Sequence, residues 1–278
     1  MNSSPLCVGV LGMGIIGSRV AENLRQKGFS VRVWSRTGQA VEGAQDSPQE
    51  VARAARVIQI FVRDDQALLE AVENMLPALT SDHVVMNHAT VSKEATLAAA
   101  RLIEGSGARF LDAPFTGSKM AAQNGKLCYY VGGDAQTLKD ARSVLEASSA
   151  SILHLGAVGD AMVLKIVTNL ITSVTVKALS EAAAITRSQG VPLEALKKAL
   201  ESNANYSTLI GMKLPAIMND DFEPHFSLIN MLKDADFALE LAKQGGKETP
   251  ALQCTAEAMR AGVNKGLGDL DFSIIGKV

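Results

Sequence analysis

The stretch "VGVLGMGIIGSRV", residues 8–20, is apolar and is interrupted by Gly12, Gly14 and Gly17. It predicts a strand followed by an amphipathic helix near residues 16–27, with the glycines in the turn between them. In that context a GxGxxG sequence is typical of a dinucleotide-binding loop. The first glycine permits a tight turn, the second lets the backbone approach a pyrophosphate, and the third lets helix and strand pack closely.

Two other interpretations of this stretch fail. Residues 1–6 contain no Lys or Arg, which a signal peptide needs before its apolar run. The apolar run Leu6–Ile16 is shorter than the about 20 residues that a transmembrane helix needs, and it contains three glycines. We therefore expect a cytoplasmic protein without a membrane partner.

Composition excludes several classes of function. The chain has 278 residues, of which 47% are hydrophobic and 20% charged, as in globular proteins with one large domain or two ordinary ones. A net charge of -2 gives no general electrostatic reason to bind nucleic acid. The three cysteines form no CxxC pair and fit buried thiols better than disulfides or a zinc site, and the histidines lack ligand spacing, so no metal is expected.

From residue 6 to about 155, short apolar runs alternate with helical patterns, as in βαβ units with a parallel sheet. The predicted strands are Leu6–Leu11, Ser30–Trp34, Arg56–Val62 and His83–Asn87, extended by apolar runs at 108–111, 127–131 and 151–155. The predicted helices between the first strands lie near 16–27, 48–54, 65–75 and 92–104.

The pattern changes after Gly159. Residues 160–189 contain neither Gly nor Pro and predict one long helix, which ends at Gly190 ahead of Pro192. Further helical patterns follow at 193–201, 208–218, 227–244 and 250–265, with no convincing strand.

This order predicts an α/β fold with an N-terminal Rossmann-type dinucleotide-binding domain, a long interdomain helix and a C-terminal all-α domain. The first domain is expected over residues 1–157. The second is expected over residues 158–278, opening with the long helix 160–189, and is assigned to substrate binding and dimerisation. The long apolar helix favours assembly into a homodimer or homotetramer.

The end of the second predicted strand, "VRVWSRT" (31–37), bears on the choice of cofactor. In NAD-binding loops an Asp or Glu at this place binds the ribose 2′-hydroxyl, whereas here the place is taken by Arg36. Because a guanidinium binds phosphate bidentately, NADP(H) is expected in preference to NAD(H). Ser35 and Thr37 add hydroxyl donors.

The segment "GAVGDAMVLKIVTN" (156–169) opens the long helix and places Lys165 and Asn169 on one helical face. Mostly apolar neighbours are expected to reduce the solvation of Lys165, which would favour its neutral form and suit it to proton transfer. Hydride transfer to a carbonyl leaves an oxyanion that needs a proton, and an ammonium group can supply one. The alternative is a lysine that merely extends its charged end to solvent.

Four blocks of sequence carry a resemblance to the β-hydroxyacid dehydrogenase family that extends over nearly the whole chain. They are "GVLGMGIIGSRVAENL" (9–24), "LDAPFTGSKMAAQNGKL" (111–127), "GAVGDAMVLKIVTN" (156–169) and "LKDADFAL" (232–239). The ending "GLGDLDFSIIGKV" (266–278) resembles the glyoxylate and succinic semialdehyde reductase branch, whose members use NADPH.

The resemblance implies roles for individual residues. Lys165 would be the general acid/base and Asn169 its partner near the substrate, while Lys233 would close over cofactor and substrate with support from Asp234. The substrate loop would contain Thr116, Gly117 and Ser118. The cofactor would contact Gly12, Met13, Gly14, Ile15 and Ile16 in the glycine loop, Ser35, Arg36 and Thr37 after the second strand, Phe61, Val62 and Thr90 on the nicotinamide side, and Lys233.

Two departures from the family pattern leave questions open. The substrate loop more often has Ser-Gly-Gly after "DAPV", and the bulkier Phe115–Ser118 here leaves the substrate undetermined. His88 stands where the family tends to have serines and either reaches the cofactor cleft or is merely structural. Imine reductases share the fold but usually lack the lysine, so Lys165 argues against that activity.

The expected activity is NADPH-dependent, reversible reduction of a small carboxylated aldehyde, such as succinic semialdehyde or glyoxylate, to the hydroxyacid. One alternative is a dehydrogenase of the 3-hydroxyisobutyrate or tartronate semialdehyde type. Another, of a different class, is a non-catalytic NADP-binding or redox-sensing protein on the same fold.

Overall fold

Five parallel strands, β1 to β5, form most of the sheet in the computed structural model, which describes residues 5–38 and 40–278. The strands are β1 Cys7–Leu11, β2 Ser30–Trp34, β3 Val57–Ile60, β4 Val84–Asn87, β5 Arg109–Asp112, β6 Phe115–Thr116, β7 Leu127–Gly133 and β8 Ser149–His154. Their order is β2-β1-β3-β4-β5-β7-β6, with β8 paired to β7. Because β1 lies between β2 and β3, the strand order reverses there, and such a reversal opens a crevice at the carboxyl ends of the strands.

The expectation of a parallel sheet holds for β1 to β5 and is wrong for β7. β7 runs antiparallel to β5 and to β6, and only β8 restores a parallel pair. β6 continues in the direction of β5 after two residues, and β7 returns alongside both. A parallel return would need a longer crossover than this connection provides.

Helices cover the sheet of the first unit. They are α1 Gly17–Gln26, α2 Pro48–Ala54, α3 Asp65–Met75, α4 Lys93–Gly105, α5 Lys119–Gln123 and α6 Ala135–Glu146. Side-chain caps begin four of them, since Ser47, Asp64, Ser92 and Asp134 each accept a hydrogen bond from a first-turn backbone N–H. Helices α5 and α6 lie where no helix is predicted.

The main core of this unit lies on one face of the sheet. Val8 and Val10 of β1 pack there with Val20 and Leu24 of α1, and the same cluster includes Tyr129 of β7. All five side chains are fully buried. The core therefore holds α1, which follows the glycine loop, firmly against the strand that precedes the loop.

The second unit is helical. It contains most of α7 Asp160–Ser188, followed by α8 Leu193–Glu201, α9 Thr208–Asn219, α10 Leu228–Gln244 and α11 Pro250–Asn264, and the chain ends in a 3-10 helix, Phe272–Lys277. Contacts divide the chain between Lys165 and Ile166, inside α7, whereas the predicted boundary at 157/158 precedes that helix. The predicted fold class, a Rossmann-type domain followed by a helical domain, is confirmed.

Helix α7 is unusually apolar. Its most apolar window of 18 residues has a mean hydropathy of 1.5 and is 33% buried, so by length and composition alone the helix is able to span a membrane. Core helices of soluble proteins share that property. The expectation of no membrane partner stays a prediction.

A buried ion pair ties down the end of the chain. Lys213 of α9 donates to both carboxylate oxygens of Asp271 at 2.7 and 2.8 Å, and both side chains are almost fully buried. The Asp271 carboxylate also accepts from the backbone N–H groups of His225 and Phe226. These contacts satisfy the buried charges and fix the C-terminal 3-10 helix within the second unit.

Two further expectations concern the burial of the cysteines and the binding of metal ions. Cys7 and Cys128 are half-buried and Cys254 is exposed, so the expectation of buried thiols is wrong for Cys254. Among residues 5–38 and 40–278, no group of three or more His, Cys, Asp or Glu side chains is placed to hold a metal ion.

Candidate active site

The glycine loop follows β1 and leads into α1. Gly12 has φ +93° and its N–H donates to the Trp34 carbonyl at 2.8 Å, and a side chain at Gly12 would collide with the backbone carbonyl of Phe61. A side chain at Gly17 would collide with the Gly12 carbonyl, so the loop closes tightly on itself. Both positions therefore require glycine for reasons that are local to the fold.

The other loop residues face in two directions. Met13 is buried in the core and Ile16 packs against it, whereas Ile15 is 60% exposed. Gly14 has open space on its Cβ side. The loop thus leaves room beside Gly14 at the N-terminus of α1, where backbone N–H groups and the helix dipole favour an anion.

A cavity of about 320 Å³ opens beyond the end of β2. It is lined in part by Met13, Trp34, Ser35, Arg36 and Asp46. Ser35 Oγ is buried without a hydrogen-bond partner among the described residues. A hydroxyl donor beside an exposed guanidinium fits a phosphate group, and so these residues fit the 2′-phosphate of NADP(H).

Asp46 is a charged lining residue of this cavity that the spacing of the sequence motif does not identify. It comes from the connection between β2 and α2 and brings a carboxylate to the lining that also contains Arg36. Thr37, by contrast, is exposed next to Arg36 and is absent from the lining. The cavity therefore combines a cation and an anion.

Phe61, Val62 and Thr90 follow the carboxyl ends of the neighbouring strands β3 and β4, and each is half-buried. Ligands of open α/β sheets bind beyond these strand ends. The structure thus brings the three residues to the edge of the sheet where the glycine loop also lies.

His88 is fully buried beneath this edge. Its ring stacks on Phe61 with centroids 4.6 Å apart, and its Nδ1 lies 2.6 Å from the Ala113 carbonyl oxygen. Burial lowers the pKa of His88 to about 4, although the hydrogen bond to Ala113 opposes the shift. The ring is therefore neutral at physiological pH and has no exposed surface of its own.

The predicted substrate loop forms the short strand β6 and the start of α5. Thr116 and Gly117 are exposed, and Thr116 pairs with Cys128 of β7. Gly117 has φ +133° and leads to Ser118, whose side chain makes no capping hydrogen bond at the start of α5. The loop therefore presents hydroxyl groups at the edge of the sheet.

Asp112, at the end of β5, anchors the N-terminus of α7. Its Oδ2 accepts a hydrogen bond of 3.0 Å from the Met162 backbone N–H, and its side chain is fully buried. Lys165, half-buried, follows Met162 by one turn of the same helix. The carboxylate thus fixes the turn of α7 that precedes Lys165, a role that no sequence motif revealed.

Asn169 lies one turn beyond Lys165 and is buried. Its Nδ2 donates to Asp234 Oδ2 at 2.7 Å, and Lys233 Nζ donates to Asp234 Oδ1 at 2.8 Å. Lys233 also lies 4.8 Å from the centre of the Phe237 ring. The second unit therefore joins three of the residues singled out from the sequence, with the Asp234 carboxylate in the middle.

Asp112 gives the site a predicted pH dependence of stability. Burial raises the pKa of Asp112 from 3.8 to about 6, opposed by the hydrogen bond from Met162 and assisted by the charge of Asp160. Since the pKa is higher in the folded protein than in the unfolded chain, folding favours the protonated form. The wild type should lose about 2 kcal/mol of stability relative to Asp112→Asn as the pH rises from 4 through 6 to 8.

Urea unfolding of the wild type and of Asp112→Asn at pH 4 and pH 8 measures this difference. Asp82→Asn is the matched control, because Asp82 is exposed and its pairing with Arg56 at 3.8 Å is a weak surface contact. A free-energy difference between wild type and Asp112→Asn that does not change with pH would contradict the raised pKa.

Two protein-family models together match residues 7–278 of the chain. Residues 7–159 match the model described as the NAD binding domain of 6-phosphogluconate dehydrogenase. Residues 159–278 match the model described as NAD-binding of NADP-dependent 3-hydroxyisobutyrate dehydrogenase. The two matches meet at Gly159, immediately before α7.

Three relatives match over nearly the full length of this chain. Glyoxylate/succinic semialdehyde reductase 1 of Arabidopsis thaliana is 30% identical, with 96% of each chain covered. The chloroplastic reductase 2 of the same plant is 27% identical, covering 96% of this chain and 78% of its own. The solved structure of Mycobacterium tuberculosis 3-hydroxyisobutyrate dehydrogenase with L-serine has a TM-score of 0.91 at 25% identity, with 98% of each chain covered.

Proposed function

The chain belongs to the β-hydroxyacid dehydrogenase family of NAD(P)-dependent oxidoreductases, and we propose that it reversibly reduces a small carboxylated aldehyde to the hydroxyacid with NADPH. Succinic semialdehyde and glyoxylate are the first candidate substrates, because the Arabidopsis thaliana relatives bear their names. The likeness to 3-hydroxyisobutyrate dehydrogenase supports the alternative of a 3-hydroxyisobutyrate or tartronate semialdehyde type enzyme.

One observation carries the proposal. Lys165 lies one helical turn after the hydrogen bond that ties α7 to Asp112, and Asp112 itself lies four residues before Thr116 of the substrate loop. A proton donor and a loop of hydroxyl groups are thus both attached to the carboxyl end of β5. General acid catalysis requires such fixed placement of the donor.

NADPH, when bound, supplies the hydride. In the proposed mechanism the Lys165 ammonium stabilises the negative charge that develops on the carbonyl oxygen and gives it a proton. Thr116, Gly117 and Ser118 hold the substrate carboxylate through hydroxyl and backbone N–H groups. Within the second unit Asp234 holds Asn169 and Lys233 in one hydrogen-bonded group, and the family resemblance assigns substrate contacts to both and a cofactor contact to Lys233.

Consumption of NADPH over a panel of succinic semialdehyde, glyoxylate, tartronate semialdehyde and the semialdehyde of 3-hydroxyisobutyrate tests the proposed reaction. Turnover of at least one of them is expected, and the ratio of their kcat/KM values decides between the two substrate classes. Binding of NADPH without turnover of any of them would favour the alternative of a non-catalytic NADP-binding or redox-sensing protein.

Lys165→Ala should lower kcat by about 100-fold or more, because the developing oxyanion loses its proton donor. The Kd for NADPH, measured by fluorescence titration, should change little, since the proposed role of Lys165 concerns the substrate carbonyl.

Lys177→Ala is the matched control, because Lys177 is another half-buried lysine of the same helix and pairs with Glu181 at 3.3 Å. Its kcat should stay close to that of the wild type. A Lys165→Ala enzyme with nearly normal kcat would refute the catalytic assignment.

The preference for NADP(H) over NAD(H) rests on the cavity beyond β2. Arg36 and the unpartnered Ser35 hydroxyl favour a phosphate there, whereas the Asp46 carboxylate disfavours it by repulsion. We propose that the attraction prevails, since a guanidinium and a hydroxyl together offer several charge-assisted hydrogen bonds.

The two charged residues should change cofactor selectivity in opposite directions. Arg36→Ala should lower the ratio of kcat/KM for NADPH to that for NADH by about tenfold or more, and Asp46→Asn should raise it. Initial rates with each cofactor measure the ratio. Arg53→Ala, which removes an exposed guanidinium from α2, is the control. A wild type that uses NADH as well as NADPH, or better, would refute the preference.

We also propose a homodimer or homotetramer. Leu164, Val167, Ile171 and Ile185 follow each other on one side of α7 and are 40–65% exposed. Burying such an apolar face against another chain is favourable. Light scattering distinguishes these assemblies from a monomer.

A further inference from the structure

Four aromatic rings meet at the carboxyl edge of the sheet, and we refer to Phe61, His88, Tyr129 and Phe115 as the four-ring cluster. The centroid distances are 4.6 Å from Phe61 to His88 and 4.9 Å from His88 to Tyr129. They are 6.5 Å from Tyr129 to Phe115 and 6.2 Å from Phe115 to Phe61. The contacts thus form a closed circuit in which every ring touches two others, within the range of favourable aromatic pairs.

The cluster joins segments with different proposed tasks. Phe61 precedes Val62 on the cofactor side, whereas Phe115 precedes Thr116 in the substrate loop. Tyr129 belongs to β7, pairs with Phe115 in the sheet and is held at its hydroxyl by Ser148 Oγ at 2.8 Å. The packing of the cofactor side and that of the substrate loop therefore depend on one shared set of ring contacts.

His88 contacts both Phe61 and Tyr129 and is hydrogen-bonded to the carboxyl-terminal ends of two neighbouring segments, Ile60 of β3 and Ala113 directly after β5. Its backbone N–H donates to the Ile60 carbonyl at 2.9 Å, and its Nδ1 lies 2.6 Å from the Ala113 carbonyl oxygen. Because a carbonyl oxygen can only accept, Nδ1 carries the proton. Nε2 is buried and has no partner among the described residues, so a second proton there would be a buried, unpaired donor.

We propose that His88 is a positioning residue whose neutral, Nδ1-protonated ring holds Phe61 and Phe115 in register, so that the cofactor side and the substrate loop face one substrate. The ring is fully buried and acts through its neighbours rather than by proton transfer. This inference rests on the proposed function for its kinetic consequences, while the protonation state of the ring stands on the structure alone.

The imidazole of His88 combines a stacking ring with a hydrogen-bond donor, and phenylalanine and asparagine each supply only one of the two. Phenylalanine would keep the stacking on Phe61 but would leave the buried Ala113 carbonyl without its hydrogen bond. Asparagine would keep a donor near the position of Nδ1 but would remove the ring from the circuit. The two substitutions therefore separate stacking from hydrogen bonding.

His88→Asn should raise the KM for the aldehyde about tenfold, and His88→Phe by a smaller factor, with kcat changed by less than about threefold in both. The pH profile of kcat should be that of the wild type. His83→Asn is the matched control, because His83 is also buried and bonded through both ring nitrogens, but it lies before β4 at the opposite edge of the sheet. It tests the effect of losing a buried imidazole as such.

Different outcomes would overturn the inference. A KM in both His88 variants within twofold of the His83→Asn value would mean that the ring is merely structural. A loss of kcat of about 100-fold together with a changed pH profile would mean that His88 transfers a proton.

A ¹⁵N NMR spectrum of the wild type with labelled histidine tests the ring directly. Four histidines give few signals, and the His88→Asn spectrum identifies the one that matters. We expect a neutral ring with the proton on Nδ1 that does not titrate between about pH 5.5 and 8. Titration in that range, or a proton on Nε2, would refute the inference even if no aldehyde proves to be a substrate. The proposed reaction fails separately, on the substrate panel.

Discussion

The hydrogen bond from the Met162 N–H to Asp112 is the contact on which the arrangement of the site depends. It joins the carboxyl end of β5 to the first turns of α7, and it does so with a carboxylate that lies fully buried. Burial raises the pKa of Asp112 to about 6, so the ionised form is unfavourable for folding near neutral pH. Its negative charge at a helix N-terminus is nevertheless well placed, because the helix dipole is positive there. The unfavourable burial of the Asp112 carboxylate thus occurs at the contact that fixes the turn of α7 just before Lys165.

Backbone hydrogen bonds and aromatic packing also stabilise the carboxyl edge of the sheet. Backbone hydrogen bonds from Phe61 to Leu11 and from His88 to Ile60 continue the parallel ladder beyond the strands themselves. The rings of Phe61 and His88 then stack where the backbone pairing ends. Loops that bind ligands gain precision when rigid elements hold them from beneath. In this protein backbone hydrogen bonds fix the carboxyl ends of β3 and β4, and the stacked rings of Phe61 and His88 pack where those hydrogen bonds end.

Local sequence signals predict the elements well wherever the chain marks their ends. Strand β2 has the predicted bounds, and α2 begins at Pro48 directly after the capping Ser47. The direction of a strand depends on which strand becomes its neighbour, and a local sequence pattern does not contain that information. The pattern therefore predicts the strand β7 but not its antiparallel direction. Helix α6 is not among the predicted helices, although Leu138, Ala141 and Leu145 are buried at helical spacing after the capping Asp134. That signal was present in the sequence.

Prediction of the site residues is limited in the same way, because a local motif does not show which distant residues come together. Gly12, Arg36 and Lys165 were singled out because each belongs to a local motif whose chemistry can be read directly. Asp112 was not, because its partner lies 50 residues away in the chain. Asp46 was not, because the spacing rule for cofactor choice examines the end of β2 and not the connection that follows it.

The cavity beyond β2 contains both signs of charge, so selectivity is a difference between two binding free energies and not the property of one residue. If the proposed cofactor site is correct, a 2′-phosphate would be attracted by Arg36 and repelled by Asp46, whereas a 2′-hydroxyl would donate to Asp46 and gain little from Arg36. In this proposal the preferred cofactor follows from the balance of the two side chains and not from Arg36 alone.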